Sequence, residues 1–385
     1  MAVQRQRSRG PPLTGRPTRG CDVLVLGGGV AGLAAAIELR TTTGLEVVVA
    51  EARQAPLARF GETVAPGVLA ALDRLGLAAR FRAAGHLACP GGLAAWGDGK
   101  PRHNDFLLEP MGPAWHIDRP RLESLLRTRA DEVGAQVLVG ACPVTVKPVR
   151  DRFDAVLTSE HGLTARQPRW VVDATGHRSW FARRRGARSI SHDRMVAMVR
   201  IAELATGTFT AQTVVESAPE GWWYGVRLPG ARLVTALVTD AEHVPRLLGN
   251  GWADWHQALS TTELLAPQLA LGTVRDARFT VWPVRVGILD QVQGERWLAI
   301  GDAACLLDPV TGRGILEALG DAADGARWVA AEAGLRSAPS WSYSERIRGR
   351  FGDHLSTRDD WYAREQRWPT STFWTARAAV RTPGN

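Results

Sequence analysis

The segment Gly27-Gly28-Gly29-Val30-Ala31-Gly32 constrains this chain more than any other, because glycines at GxGxxG spacing join an apolar run to a helix-forming run. Residues 22–26 read as a short strand, 30–40 as a helix and 46–50 as a second strand, which together make a βαβ unit. In such a unit Gly27 permits the tight turn, Gly29 lets a pyrophosphate approach the backbone, and Gly32 lets the helix pack closely on the sheet. Free N–H groups at the helix start, at Val30 and Ala31, then face the anion. Glu51 ends the second strand nineteen residues after Gly32, with Ala52 behind it, where a carboxylate accepts hydrogen bonds from ribose hydroxyls. An acid there disfavours a 2′-phosphate, so the expected ligand is FAD or NAD rather than NADP. The glycine spacing alone would also suit a turn that binds nothing; strand, helix and Glu51 in register favour the dinucleotide.

Downstream, residues 64–75 and 77–84 read as helical, and the glycine-rich stretch 90–98 as short strands. His116 closes a strand and leads into a helix ending near 133, with Asp118 placed to cap it and Pro120 tolerated in its first turn. Residues 136–139, 144–149, 153–159 and 170–174 read as strands. From 189 to 284 the alternation lengthens, with runs at 195–201, 212–216, 222–228 and 233–239, which argues for an antiparallel sheet over the substrate. A strand at 297–300 and a long helix after Thr311 return the chain to the first domain, and helices rich in Arg and Trp finish it. The expected layout is a disordered leader over 1–20, a dinucleotide domain over 21–188 and 285–335, a substrate domain over 189–284 and a helical segment over 336–385. Residues 85–115 are expected to contribute to the substrate side.

The net charge of +8 raises nucleic-acid binding, but Arg5, Arg7, Arg9, Arg16 and Arg19 of the leader account for five of it, leaving about +3. No nucleic-acid module is present. Cys21, Cys89, Cys142 and Cys305 form no metal-ligand spacing and fit a reducing, cytoplasmic setting; the histidines form no HExxH pair, so no metal is expected. No apolar window reaches the roughly 18 residues of a membrane span.

FAD is separated from NAD by residues 297–314, WLAIGDAACLLDPVTGRG. Here an apolar strand ends at Gly301-Asp302, placing a carboxylate against a ribityl chain, a polyol that NAD lacks. A helix starting near Thr311 aims its positive end at the pyrimidine side of a flavin. Gly312 and Gly314 leave backbone open to the ring, with Ile315 beside them.

These residues carry a family resemblance. The GDAACLLDPVTGRG segment resembles the GD motif of p-hydroxybenzoate hydroxylase-type flavoprotein monooxygenases and of the related flavin-dependent halogenases. Asp173-Ala174-Thr175-Gly176-His177-Arg178-Ser179 resembles their DG segment, with ATG where many members have ADG, and implies a cofactor contact at Gly176. Ile117-Asp118-Arg119-Pro120-Arg121-Leu122 resembles their IxRxxL, which implies that Arg119 contacts flavin. The fold so implied is α/β: a Rossmann-type, glutathione reductase-like FAD domain interleaved with an antiparallel substrate domain, plus C-terminal helices. A narrower likeness rests on Phe60-Gly61-Glu62-Thr63, on Trp115 to Arg119, on Gly221-Trp222-Trp223-Tyr224, and on Arg364-Glu365-Gln366-Arg367-Trp368-Pro369 before Phe373-Trp374. This set resembles the flavoproteins that mature tryptophylquinone-containing oxidases and dehydrogenases.

The resemblance implies that reduced FAD and O2 form a C4a-hydroperoxide whose distal oxygen is attacked by an electron-rich ring, an indole or tryptophan that is free or held in a peptide or protein. Protein groups would orient the ring, exclude water and move protons. His116 is the candidate base; the alternative is that it packs beside Asp118 or contacts FAD. On their expected strand Trp222 and Tyr224 point to one face and Trp223 to the other, so either face could stack on substrate or fill core. Arg59 sits over the flavin or the NAD(P)H route, or is a solvated arginine, and the run Arg183-Arg184-Arg185 attracts a dinucleotide phosphate or is a solvated face. No second GxGxxG is present, so NAD(P)H docks transiently or a separate flavin reductase supplies electrons.

Three rival activities share the fold. A halogenase resemblance implies GWxWxIP and a lysine that receives hypohalous acid, whereas this chain has Tyr224 for the second Trp, Arg227 for the Pro, and only Lys100 in a suitable region. A small-molecule hydroxylase would carry the same motifs. A geranylgeranyl-type reductase would need a long apolar tunnel.

Overall fold

The computed structural model describes residues 21–55, 62–106, 108–207, 209–270 and 272–378. Arg59, Phe60, Gly61 and the leader lie outside them.

The first unit is a six-stranded sheet in the order Gln293–Gly294, Trp297–Ala299, Trp170–Asp173, Val23–Leu26, Val47–Glu51, Gln136–Val139. Its pairings are parallel except at the Gln293–Gly294 edge. Every residue of the strands Val23–Leu26, Val47–Glu51 and Trp170–Asp173 is buried, as the continuous apolar runs of a sheet covered on both faces require. Helices Val30–Thr43 and Gly314–Glu332 pack on each other, and Val30–Thr43 also packs on Arg119–Glu132. The carboxyl ends of three neighbouring strands, at Leu26, Asp173 and Ala299, therefore open side by side, the position where open α/β sheets bind ligands.

The second unit is an eight-stranded sheet in the order Cys305–Leu306, Gly272–Leu289, Ser189–Gly207, Arg232–Thr239, Gly221–Leu228, Thr213–Ala218, Gly91–Ala95, Pro101–Asp105. It is antiparallel except where Thr213–Ala218 runs parallel to Gly91–Ala95. One face joins the main core. The other carries a smaller core of Met198, Trp223, Leu237, Leu247, Trp255 and Leu265 beneath helices Val244–Leu247, Trp252–Ser260 and Leu265–Ala270. A small sheet, Thr63–Val64 and Leu87–Cys89 on either side of Ala114–His116, bridges the two units.

Several expectations change in detail. Val64 ends a strand, and the two helices after it are Val68–Arg74 and Ala78–Ala83. The helix expected near Thr311 starts at Gly314: Pro309–Thr311 forms a 3-10 turn whose Val310 N–H bonds to Asp308, and Gly312 follows at a φ of 62°. The long strand Gly272–Leu289 and the helices covering the second core were not anticipated. Asp118 caps its helix as expected, its carboxylate accepting from Arg121 N–H at 3.1 Å. The C-terminal stretch forms the helices Tyr343–Arg364 and Thr372–Ala378.

Candidate active site

The glycine turn works as its spacing requires. Gly27 holds φ at 107°, and a Cβ on Gly32 would lie 1.9 Å from the Gly27 carbonyl oxygen, so both positions exclude a side chain. A Cβ on Gly29 would instead meet nothing within 4 Å, because that residue faces an open groove. No side chain caps the helix that begins at Val30, and its first turn carries no acid, which leaves the N–H groups available to an anion.

The groove encloses about 190 Å³. Its lining joins Gly29, Val30 and Ala31 to Ala174, Gly176, Ile300, Asp302, Arg119, Thr63 and the loop Leu307–Pro309, and it ends at Gly312, Gly314, Ile315 and Ala318. Segments far apart in sequence thus meet on one surface. Gly301 packs directly behind Asp302, where a Cβ would lie 3.0 Å from that of Ala31. Asp302 is open to the groove while walled by protein; that enclosure pushes its carboxyl above the ordinary range, opposed by Arg119 and His177. Arg119 approaches Glu123 at 3.5 Å, yet its buried Nε makes no hydrogen bond, leaving a cation in the wall. Glu51 accepts from Gly28 N–H at 2.6 Å and from Arg53. Burial raises the Glu51 carboxyl, but these bonds outweigh burial and hold it below the usual range. Ala52 is exposed and does not line the groove.

Buried carboxylates fix the loops. Asp173 accepts from Thr175 N–H and Oγ1 and from the Phe181 and Ala182 amides, shaping the turn that presents Gly176. Asp308 accepts from Val310 N–H, Arg358 Nε and Tyr362 OH, while His354 Nε2 accepts from its amide at 2.8 Å. Asp321 accepts from Gly301 N–H and pairs with Arg350. Helix Tyr343–Arg364 thereby braces both the Gly301-Asp302 turn and the loop before Gly312.

His116 does not line the groove; it is fully buried, and burial pulls its imidazole down to about 4 despite the opposing backbone of Arg227. Its Nε2 lies 2.9 Å from Thr213 Oγ1. Thr213 Oγ1 lies 3.4 Å from Thr63 Oγ1, which in turn lies 2.7 Å from Tyr224 OH. Tyr224 therefore reaches the groove through Thr63. Trp222 packs in the main core with its Nε1 donating to Tyr362 OH, and Trp223 stands edge-on to Trp255 on the opposite face, lining a separate cavity of about 470 Å³. Lys100 lies in an exposed turn away from the groove. Thr63, Thr213 and Asp308 were not singled out from sequence. Thr63 and Asp308 at least stand inside segments that carry the family likeness, whereas nothing local marks Thr213.

A groove of this kind fits FAD: an uncapped helix start and a bare Gly29 for pyrophosphate, Asp302 for the ribityl chain, and a second helix start at Gly314 for the ring. Fold and groove are those of an FAD-dependent monooxygenase. The chain belongs to the FAD binding domain family, whose pattern matches residues 20–339. It is 24% identical over 360 residues to a putative FAD-dependent oxidoreductase, LodB, of Marinomonas mediterranea, covering 93% of this chain and 97% of that one. Among solved structures, the peptidyl tryptophan dihydroxylase QhpG, essential for tryptophylquinone cofactor biogenesis, superposes with a TM-score of 0.75 at 23% identity, covering 95% of this chain and 80% of its own. The flavin-dependent halogenase CmlS superposes with a TM-score of 0.80 at 20% identity, over 95% and 68%.

Proposed function

We propose that this enzyme oxygenates the indole of a tryptophan held in a peptide or protein, with FAD as its resident cofactor. The observation that carries the reading is that Gly29–Ala31, Asp302 and Gly312–Ile315 line one groove in a chain that superposes over 95% of its length on a peptidyl tryptophan dihydroxylase and aligns over 93% of it with LodB. When bound, FAD supplies the activation of O2 and the transfer of oxygen to an electron-rich ring. The rest falls to the chain. The helix start at Val30 holds the pyrophosphate, Asp302 the ribityl hydroxyls, and the helix start at Gly314 favours negative charge on the pyrimidine side of the ring. Neither lysine of the chain, Lys100 or Lys147, lines the groove, which weighs against halogenation.

Electrons come from NAD(P)H on this reading. Arg178 and Arg285 are exposed, flank His177 beside Asp302, and have no carboxylate partner among the described residues, which suits a phosphate-bearing donor. A separate flavin reductase would be the source if NADH and NADPH both fail to bleach the bound flavin. The four free cysteines agree with a cytoplasmic setting. Among the described residues no helix is long and apolar enough to cross a membrane.

The test reconstitutes the protein with FAD, adds NADH or NADPH, and offers tryptophan-containing peptides beside free tryptophan. A peptide mass increase of one or two oxygen atoms is expected. Oxygenation of free tryptophan alone removes the peptide assignment, and a chlorine isotope pattern in chloride buffer overturns the reading altogether.

A further inference from the structure

Among the described residues lining the groove, Thr63 alone bears a hydroxyl, and it lies on a strand packed against helix Gly314–Glu332, near the end that receives the ring. It is also the outer member of a connected hydroxyl chain: Tyr224 OH at 2.7 Å, Thr213 Oγ1 at 3.4 Å, and beyond Thr213 the Nε2 of His116 at 2.9 Å. The four residues come from four separate strands, so their contacts are held by the fold and not by local turn geometry.

Counting protons gives this chain a direction. His116 is enclosed and neutral, its Nδ1 makes no hydrogen bond among the described residues, and its Nε2 shares one with Thr213 Oγ1 in which either atom can donate. Either hydroxyl of the Tyr224–Thr63 pair can donate, and we assign the proton between them to the more acidic Tyr224 phenol, with Thr63 Oγ1 accepting. Thr63 thus receives one hydrogen bond and keeps a proton of its own. That proton has two destinations: the long 3.4 Å contact to Thr213, or the groove.

Resting on the FAD reading above, we propose that Thr63 is a committed hydrogen-bond donor to the polar edge of the isoalloxazine ring, oriented by Tyr224 and by the Thr213–His116 pair. Tyr224, Thr213 and His116 are on this account positioning residues that act only through Thr63. A donor fixed at the ring edge stabilises the negative charge of the reduced ring, so removing it lowers the midpoint potential.

The experiment uses the FAD-loaded full chain without substrate and reads the visible flavin spectrum, the midpoint potential and the melting temperature. Thr63→Val, and Thr63→Ala as a second variant should valine not fold, is expected to shift the flavin bands and lower the potential, with Thr63→Ser restoring both. His116→Gln and Tyr224→Phe are expected to move spectrum and potential the same way in the wild-type background, and to add nothing in the Thr63→Val background. A Thr63→Val spectrum and potential equal to wild type overturns the proposal while leaving the enzyme reading intact. So does a His116 or Tyr224 effect that persists undiminished without the Thr63 hydroxyl. Wild-type protein that takes up no FAD removes the enzyme reading first, and the proposal with it.

Discussion

The two sides of the groove are made by different means. On the sheet side, the contacts offered to a dinucleotide are mostly backbone: a bare glycine, an uncapped helix start, a strand end at Gly301, and few side chains beyond Asp302 and Arg119. On the other side the surface depends on side chains brought together from distant segments, Thr63 backed by Tyr224 and by Thr213 with His116, and Asp308 held by Arg358. Backbone recognition tolerates sequence change anywhere except at its glycines. A side-chain surface can be re-cut one residue at a time, which suits a fold that serves many aromatic substrates.

The largest effect that would sharpen this contrast is expected at Asp308. Asp308→Ala takes from Arg358, which is 3% exposed, its fully buried carboxylate partner, with Asp193 and Asp359 still beside it, and orphans the Val310 and Tyr362 donors; it is expected to cost about 3 kcal/mol, read from urea unfolding. A paired glycine test comes next. Gly32→Val should fail to give folded protein, because its Cβ meets the Gly27 carbonyl oxygen, whereas Gly29→Val should fold with a near-normal melting temperature and lose FAD affinity by roughly a hundredfold. Equal loss of folding in both would break the claim that Gly29 is kept for ligand and not for packing. Asp302→Asn retains shape but weakens a charged acceptor, and FAD titration should show about a tenfold loss.

A smaller effect appears with pH. Burial pulls His86, His116 and His354 down to about 4, while the unfolded chain takes up the same protons near 6.5. Between those values the unfolded state binds more protons, so the stability these groups contribute is present above pH 6.5 and is lost as pH falls through 4. Urea midpoints across that window should fall with pH, and His116→Gln should flatten part of the slope. The smallest effect is expected at Lys100, where Lys100→Met should leave stability within about 0.5 kcal/mol and turnover unchanged. Lost turnover there would restore a halogenase-like role for lysine.

The same contrast explains what the amino-acid order disclosed. The βαβ unit, the Gly301-Asp302 turn and the Asp118 cap are near-sequence patterns that were anticipated, whereas Glu51, expected to meet ribose hydroxyls, has its carboxylate on Gly28 N–H and Arg53 and does not line the groove. His116 was placed correctly at a strand end and read either as a base near the substrate or as packing beside Asp118 or against FAD. Only the tertiary fold reveals that Thr213, 97 residues away, stands between it and the groove. Trp222 and Trp223 were rightly given opposite faces, yet which face met the groove depended on helices over 244–270 that no periodicity announced. The 18-residue strand Gly272–Leu289 escaped because its arginines and its proline interrupt the alternation, while its partner Ser189–Gly207 supplies the pairing.

The bracing of the groove by helix Tyr343–Arg364 also bears on how the enzyme is made. Arg350 and Arg358 emerge from the ribosome long after the glycine turn, so the nascent chain can display a finished pyrophosphate cradle while the wall beside the flavin ring is still unsupported. Secure loading of the coenzyme therefore awaits synthesis of that helix, and a prematurely terminated product would be a weak flavin binder with an intact nucleotide motif.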